Sequence, residues 1–365
     1  MRMPLPFRHA AALPVAAMLL MSSACSGPAE QDGAAPADET AAADAEGAER
    51  AATFTNPLLP SGPDPWITQA DGTYYYTHTL GDRLALWRTD DISDLANAEQ
   101  KTIWTPPATG PNAHMIWAPE LHHLDGKWYM YYSATASGFE DDAHRGVFVL
   151  ENDSADPFEG DWEDLGQIET EHPGIDGTVF AYDGKTYFAY SPYVGEDSVI
   201  ALSRMTDPTT LSGEETVIAV PDRPWEKQGG RQILEGPEFL EGPEGDLFLI
   251  YSASACWSDD YSLGLLRAPA GSDPLEAKVW TKSAEPVLRQ GNGVYATGHN
   301  GFFTSPDGEE NWIIYHANPE AEMGCTPKRA PHIQKFSWDE RGYPVFGEPV
   351  GKDTPIPVPS GGNSR

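Results

Sequence analysis

Ile175-Asp176-Gly177-Thr178-Val179-Phe180-Ala181-Tyr182-Asp183-Gly184-Lys185-Thr186-Tyr187-Phe188-Ala189-Tyr190 reads as an acidic lead, an apolar strand, a tight turn and an aromatic strand. Asp-Gly between two strand-forming runs marks a hairpin, because both residues tolerate the positive φ that a two-residue turn demands. The phrase recurs. Asp64 leads Trp66-Ile67, the turn Asp71-Gly72 and Tyr74-Tyr75-Tyr76. Glu235 leads Phe239-Leu240, Glu244-Gly245 and Leu247-Phe248-Leu249-Ile250-Tyr251. Trp117-Ala118-Pro119-Glu120-Leu121 precedes Asp125-Gly126 and Lys127-Trp128-Tyr129-Met130-Tyr131-Tyr132, and Gly298-His299-Asn300-Gly301-Phe302-Phe303 precedes Asp307-Gly308 and Trp312-Ile313-Ile314-Tyr315-His316.

The lead positions 64, 118, 176, 235 and 299 are spaced by roughly 54 to 64 residues. Each unit adds weaker strand signals after its hairpin, such as Arg83-Leu84-Ala85-Leu86-Trp87-Arg88 and Val199-Ile200-Ala201-Leu202-Ser203. Four short strands per repeat describe a propeller blade. The period is too long for a parallel β-helix coil and too regular for a pair of sandwiches. The expected fold is therefore all-β, a five-bladed β-propeller. Its first strands line a central channel, so Asp64, Ala118, Asp176, Glu235 and His299 are expected around one axis.

Composition agrees. Gly 35 and Pro 33 in 365 residues, with abundant Trp and Tyr, favour a turn-rich β fold. A formal net charge of −33 argues against a nucleic-acid or anionic-membrane surface, since the Coulomb term is repulsive. Arg2 and Arg8 precede a short apolar run, Ala10 to Met21, that ends Ser22-Ser23-Ala24-Cys25. This reads as an export signal over residues 1–25, with Cys25 as a lipidation site and cleavage near Ala24 as the plain secretory reading. Residues 26–53, rich in Ala, Glu, Asp, Gly and Pro, read as a disordered acidic linker. The propeller is expected over 54–352 and a flexible tail over 353–365. An exported chain, periplasmic or at the cell surface, permits a Cys256–Cys325 bridge, though two separate thiols fit the sequence equally well.

Carboxylates crowded into one channel repel one another and separate in pKa, as acid–base catalysis requires. The chain has no glycine-rich phosphate loop, no His-Glu-x-x-His helix and no Gly-x-Ser-x-Gly elbow. Glycoside hydrolysis needs one protonated carboxyl and one carboxylate, and Trp and Tyr suit the apolar faces of sugar rings. Glu238, three residues past Glu235, is expected to face away from the channel by strand alternation. Glu120 shares the channel face in a structural role, and His122 and His123 are structural or surface residues.

In combination, Asp64-Pro65, Trp117-Ala118-Pro119-Glu120, Ile175-Asp176-Gly177, Glu235-Gly236-Pro237 and Gly298-His299-Asn300 resemble family 43 of the glycoside hydrolases. The likeness runs from about Asn56 to Pro349 and is strongest to the exo-acting α-L-arabinofuranosidases. It implies an inverting enzyme that releases terminal arabinofuranosyl residues from plant-type arabinan or arabino-oligosaccharides. Asp64 would be the general base, Glu235 the general acid and Asp176 the tuner of the acid's pKa, with base and acid about 6.5–9.5 Å apart. Arg329 would grip the terminal sugar, with Trp66, Trp117 and His299 as further substrate contacts. No cofactor is required, although His299 falls where relatives hold a channel cation, commonly calcium. Here the loop reads Tyr295-Ala296-Thr297-Gly298-His299-Asn300-Gly301 rather than Gly-Pro-Gly-His-Asn-Ser, which reshapes the surroundings of His299. A β-xylosidase, an endo-arabinanase and a catalytically silent sugar-binding propeller are the alternatives. Partners are arabinose-containing saccharides, with a membrane reached only through a lipid anchor.

Overall fold

The computed structural model describes residues 52–362. The expected signal, Cys25 and most of the acidic linker lie outside them. Among the described residues no helix is long and apolar enough to cross a membrane.

Five antiparallel units of four strands form the body, the third with a short extra strand, Asp197–Ser198, off its second. Their first strands are Trp66–Ala70, His114–Leu124, Gly174–Tyr182, Leu234–Glu241 and Tyr295–Thr304. These touch one another in a closed ring, first to second, on through the fifth, and back to the first. The five-bladed propeller read from the repeats is the observed fold. In the first three blades the Asp-Gly pairs adopt positive φ at both turn residues and join strands in two-residue hairpins. In blades four and five the pairings Glu241↔Leu247 and Thr304↔Asn311 leave longer loops instead.

Apolar side chains on both faces of each sheet pack between neighbouring blades. Leu121, Trp128, Met130 and Phe148 of the second blade meet Tyr75, Leu84 and Leu86 of the first. Phe248 and Ile250 of the fourth meet Ile313, Tyr315 and Phe336 of the fifth. A strand buried on both faces reads as an aromatic and aliphatic run, as the repeats do.

Every blade is continuous in sequence, so no shared strand closes the ring. Closure falls to the segment before Asp64. The Leu58 and Gly62 amides donate to the carbonyls of Pro331 and Arg329, and the Asn56 side chain exchanges two hydrogen bonds with the Ile333 backbone. Thr53–Phe54 pairs with Ile356–Pro357. Within the tail expected to be flexible from 353, Ile356–Pro357 thus form a clasp, and Ser360 bonds to Glu310 and Asp307 beyond it. The strand pairing was hidden in the sequence because its partner lies some 300 residues earlier in the chain.

Candidate active site

One backbone device repeats around the axis. Asp64, Ala118, Asp176, Gly236 and His299 all adopt positive φ, between 43° and 57°. Each donates its amide to a group of the preceding blade: His316 Nδ1, Thr79 Oγ1, Ser133 Oγ, Asp176 Oδ2 and Ser252 Oγ, at 2.7–3.1 Å. In the second to fifth blades the left-handed residue lies at a bulge of the inner strand, in the first it precedes the strand, and in all five its amide links blade to blade at the inner rim.

In the fourth blade the residue in this ring is Gly236, not Glu235. Glu235 pairs with Ser252 as Trp117 pairs with Ser133 and Ile175 with Ser191, so it stands one position before the other leads. The bulge between Glu235 and Glu238 also breaks strand alternation. Glu238 therefore turns inward rather than away: it is buried, hydrogen-bonded to Glu120, and pushed well above the carboxylate range by burial and by Glu120. Glu120 in turn lies 2.9 Å from His122 Nε2, which makes His122 a buried network member.

The carboxyl groups of Asp64, Asp176 and Glu235 share a cavity of about 490 Å³ with Trp117, His299 and Arg329. Asp64 is buried, which alone would favour its neutral form. Arg329 Nη1 at 3.0 Å, the His299 and His316 rings at 3.4 Å and the Thr79 hydroxyl at 2.6 Å reverse that and hold it ionised far below the usual range. Burial depresses the pKa of both imidazoles, so at neutral pH the opposing cation is Arg329. Glu235 shows the contrary balance. Desolvation raises it to about 7, against the Tyr261 hydroxyl donating at 2.8 Å and with the Asp64 charge adding to the rise. Asp176 is raised further by burial and by the charges of Glu235 and Asp64. Its Oδ2 accepts the Gly236 amide, which ties it beside the acidic strand.

Trp117 stands in the cavity wall with the Arg145 guanidinium 3.7 Å above its ring. Trp66 does not reach the cavity. Its indole stacks on His122 and donates to Thr68 and to the Leu121 carbonyl, wedged between the first two blades. The expectation of a cation beside His299 also finds no ligand set: among the described residues no three His, Cys, Asp or Glu are grouped to hold a metal ion. The nearby carboxylate of Asp64 is already neutralised by Arg329.

His316, Tyr261 and Thr79 escaped the sequence reading. His316 closes the aromatic strand of the fifth repeat and Thr79 follows that of the first, but nothing local marks either as a partner of Asp64. Cys256 and Cys325 are bonded to each other, which settles the pairing that spacing left open.

One carboxyl held ionised and one raised toward its neutral form, beside a third on one cavity, are the arrangement that glycoside hydrolysis requires. The chain belongs to family 43 of the glycosyl hydrolases, whose family model matches residues 54–344. It is 38% identical over 319 residues to an extracellular exo-α-(1→5)-L-arabinofuranosidase of Streptomyces avermitilis, covering 83% of this chain and 65% of that one. Against the enzyme of that same description from Streptomyces chartreusis it is 37% identical, covering 78% and 88%. The chain thus spans slightly less than two thirds of the former relative's length. A crystal structure of an α-L-arabinofuranosidase from Lactobacillus brevis superimposes with a TM-score of 0.77 at 31% identity, covering 82% of this chain and 98% of that one.

Proposed function

We propose that this protein is an exo-acting, inverting α-L-arabinofuranosidase that removes terminal residues from arabinan or arabino-oligosaccharides. The observation that carries the reading is the split between Asp64, kept ionised, and Glu235, protonated up to about pH 7, on one cavity. The arabinofuranosidase names of its relatives supply the sugar.

In the proposed reaction Asp64 accepts a proton from a water as that water's oxygen attacks the anomeric carbon. The glycosidic bond breaks, and Glu235 passes its proton to the departing oxygen. Asp176, whose Oδ2 accepts the Gly236 amide, holds the strand end that carries the acid in place. Arg329 and the Thr79 hydroxyl hold the base ionised, and Trp117 walls the sugar. No cofactor enters these steps. The leader, with Arg2 and Arg8 ahead of an apolar run, and Cys25 support export with lipid anchoring, and the extracellular relatives support export alone.

The test compares nitrophenyl α-L-arabinofuranoside with the β-xyloside, and follows the first-formed anomer by proton NMR. Arabinoside cleavage with inversion is expected. Retention would remove Asp64 from the base role, and a preference for the xyloside would reassign the sugar.

A further inference from the structure

The catalytic carboxyl groups lie at the floor of the cavity, each less than a tenth exposed for Asp64 and Asp176. Its mouth is walled by residues including Leu80, Asp142, Arg231, Trp257 and Pro327. The Arg231 guanidinium bonds Asp142, so the segment after the third blade is joined there to a loop inside the second blade, between its strands Lys127–Thr135 and Arg145–Asn152. On the exo reading proposed above, the end of a chain enters this pocket. The terminal sugar occupies the floor and its leaving group must stand at the mouth.

Trp257 is the mouth residue that the catalytic steps leave unexplained. It is 49% exposed, an unusual state for an indole. It is also firmly held. Nε1 donates to the Gly229 carbonyl at 2.9 Å, and the Pro224–Gly230 segment is bonded to residues 254 and 255 through Gln228. Gly229 permits this approach, since a Cβ there would crowd Ala255 and the indole nitrogen. On the other side Cys256, its chain neighbour, is bonded to Cys325. The next residue, Thr326, accepts both the backbone amide and Nε of Arg329 at 3.2 Å. Arg329 then meets Asp64. One covalent link therefore fixes an exposed aromatic face at the mouth and the arginine at the floor.

We infer that Trp257 is the platform for the leaving-group sugar, positioned by the Cys256–Cys325 bridge, and that it makes the enzyme select saccharide over small leaving groups. A rigid, half-exposed indole offers apolar area at little entropic cost, which is what a furanose face requires. The inference rests on the exo reading above.

The experiment measures kcat/KM on α-1,5-arabinotriose and on methyl α-L-arabinofuranoside for wild type, Trp257→Ala and Trp257→Phe. The alanine variant is expected to lose about tenfold or more on the triose relative to its change on the methyl glycoside, and phenylalanine to recover most of that difference. Equal factors on both substrates, or no loss on either, would overturn the platform. Wild-type products tell the two readings apart: single arabinose release upholds exo action, whereas internal cuts in linear arabinan refute it. If the wild type instead prefers xylosides, the same contrast is read between xylobiose and methyl xyloside.

Discussion

Arg329 Nη1 lies 3.0 Å from Oδ1 of Asp64, a residue 265 positions earlier. The contact joins the fifth blade to the segment before the first, so ring closure and the ionisation of the proposed base are the same event. The Leu58, Gly62 and Asn56 backbone and side-chain bonds to residues 329–333 hold both partners in place.

Asp64→Asn and Glu235→Gln should each lower kcat by about 10²-fold or more, as removal of a general base or acid does. Their effects on stability should have opposite sign. Asp64→Asn leaves Arg329 with no compensating charge in a largely buried setting and should destabilise. Thermal melts of both variants at pH 7.5–8, about one unit above the Glu235 midpoint, separate the two.

Glu235 carries a folded pKa of about 7 against an ordinary 4.5, so the folded state holds the extra proton between those values. Stability contributed by this group is lost as pH rises through that window. Glu235→Gln should therefore be more stable than wild type at pH 8, by about 1–3 kcal/mol, and should converge with it near pH 4. Urea titrations at the two pH values check this.

The same proton sets the alkaline limb of kcat/KM near pH 7. The Tyr261 hydroxyl lowers Glu235, so Tyr261→Phe should move that limb upward. Gly298→Ala should act in the same direction, because its Cβ would overlap the Tyr261 ring. An unmoved limb in both variants would show that Tyr261 does not control the acid.

Glu238 is buried and neutral through burial and its bond to Glu120. Glu238→Gln keeps shape and hydrogen bonding, and should cost no more than about 1 kcal/mol at pH 7 in urea titrations read by circular dichroism.

Removing the bridge with Cys256→Ser and Cys325→Ser frees a link between residues 69 apart. Stability should fall by about 2–4 kcal/mol. KM should rise as Thr326 ceases to steady Arg329, and both changes should be reproduced by reducing the wild type.

The repeat of acidic lead, apolar strand, Asp-Gly turn and aromatic strand was enough to determine five blades. Hairpin turns are local, and an inner strand buried on both faces declares itself by composition. Asp64, Asp176, Glu235 and His299 were legible as neighbours because the repeat places leads on a common axis, whereas Arg329 and Trp117 were reached only through the resemblance to the family. Tertiary structure alone decided the details that depend on backbone register. A positive-φ residue in the inner strands of the second to fifth blades shifts side-chain direction by one place, and sequence carries no mark of where that shift falls. It puts Glu235 one step before the ring of leads and turns Glu238 inward onto Glu120. Trp66, at the matching step of the first blade, is instead wedged between blades away from the sugar site. Partners such as His316, Tyr261 and Thr79 became visible only with the ring closed, since burial and through-space charge, not spacing along the chain, divide the carboxyl groups into base and acid.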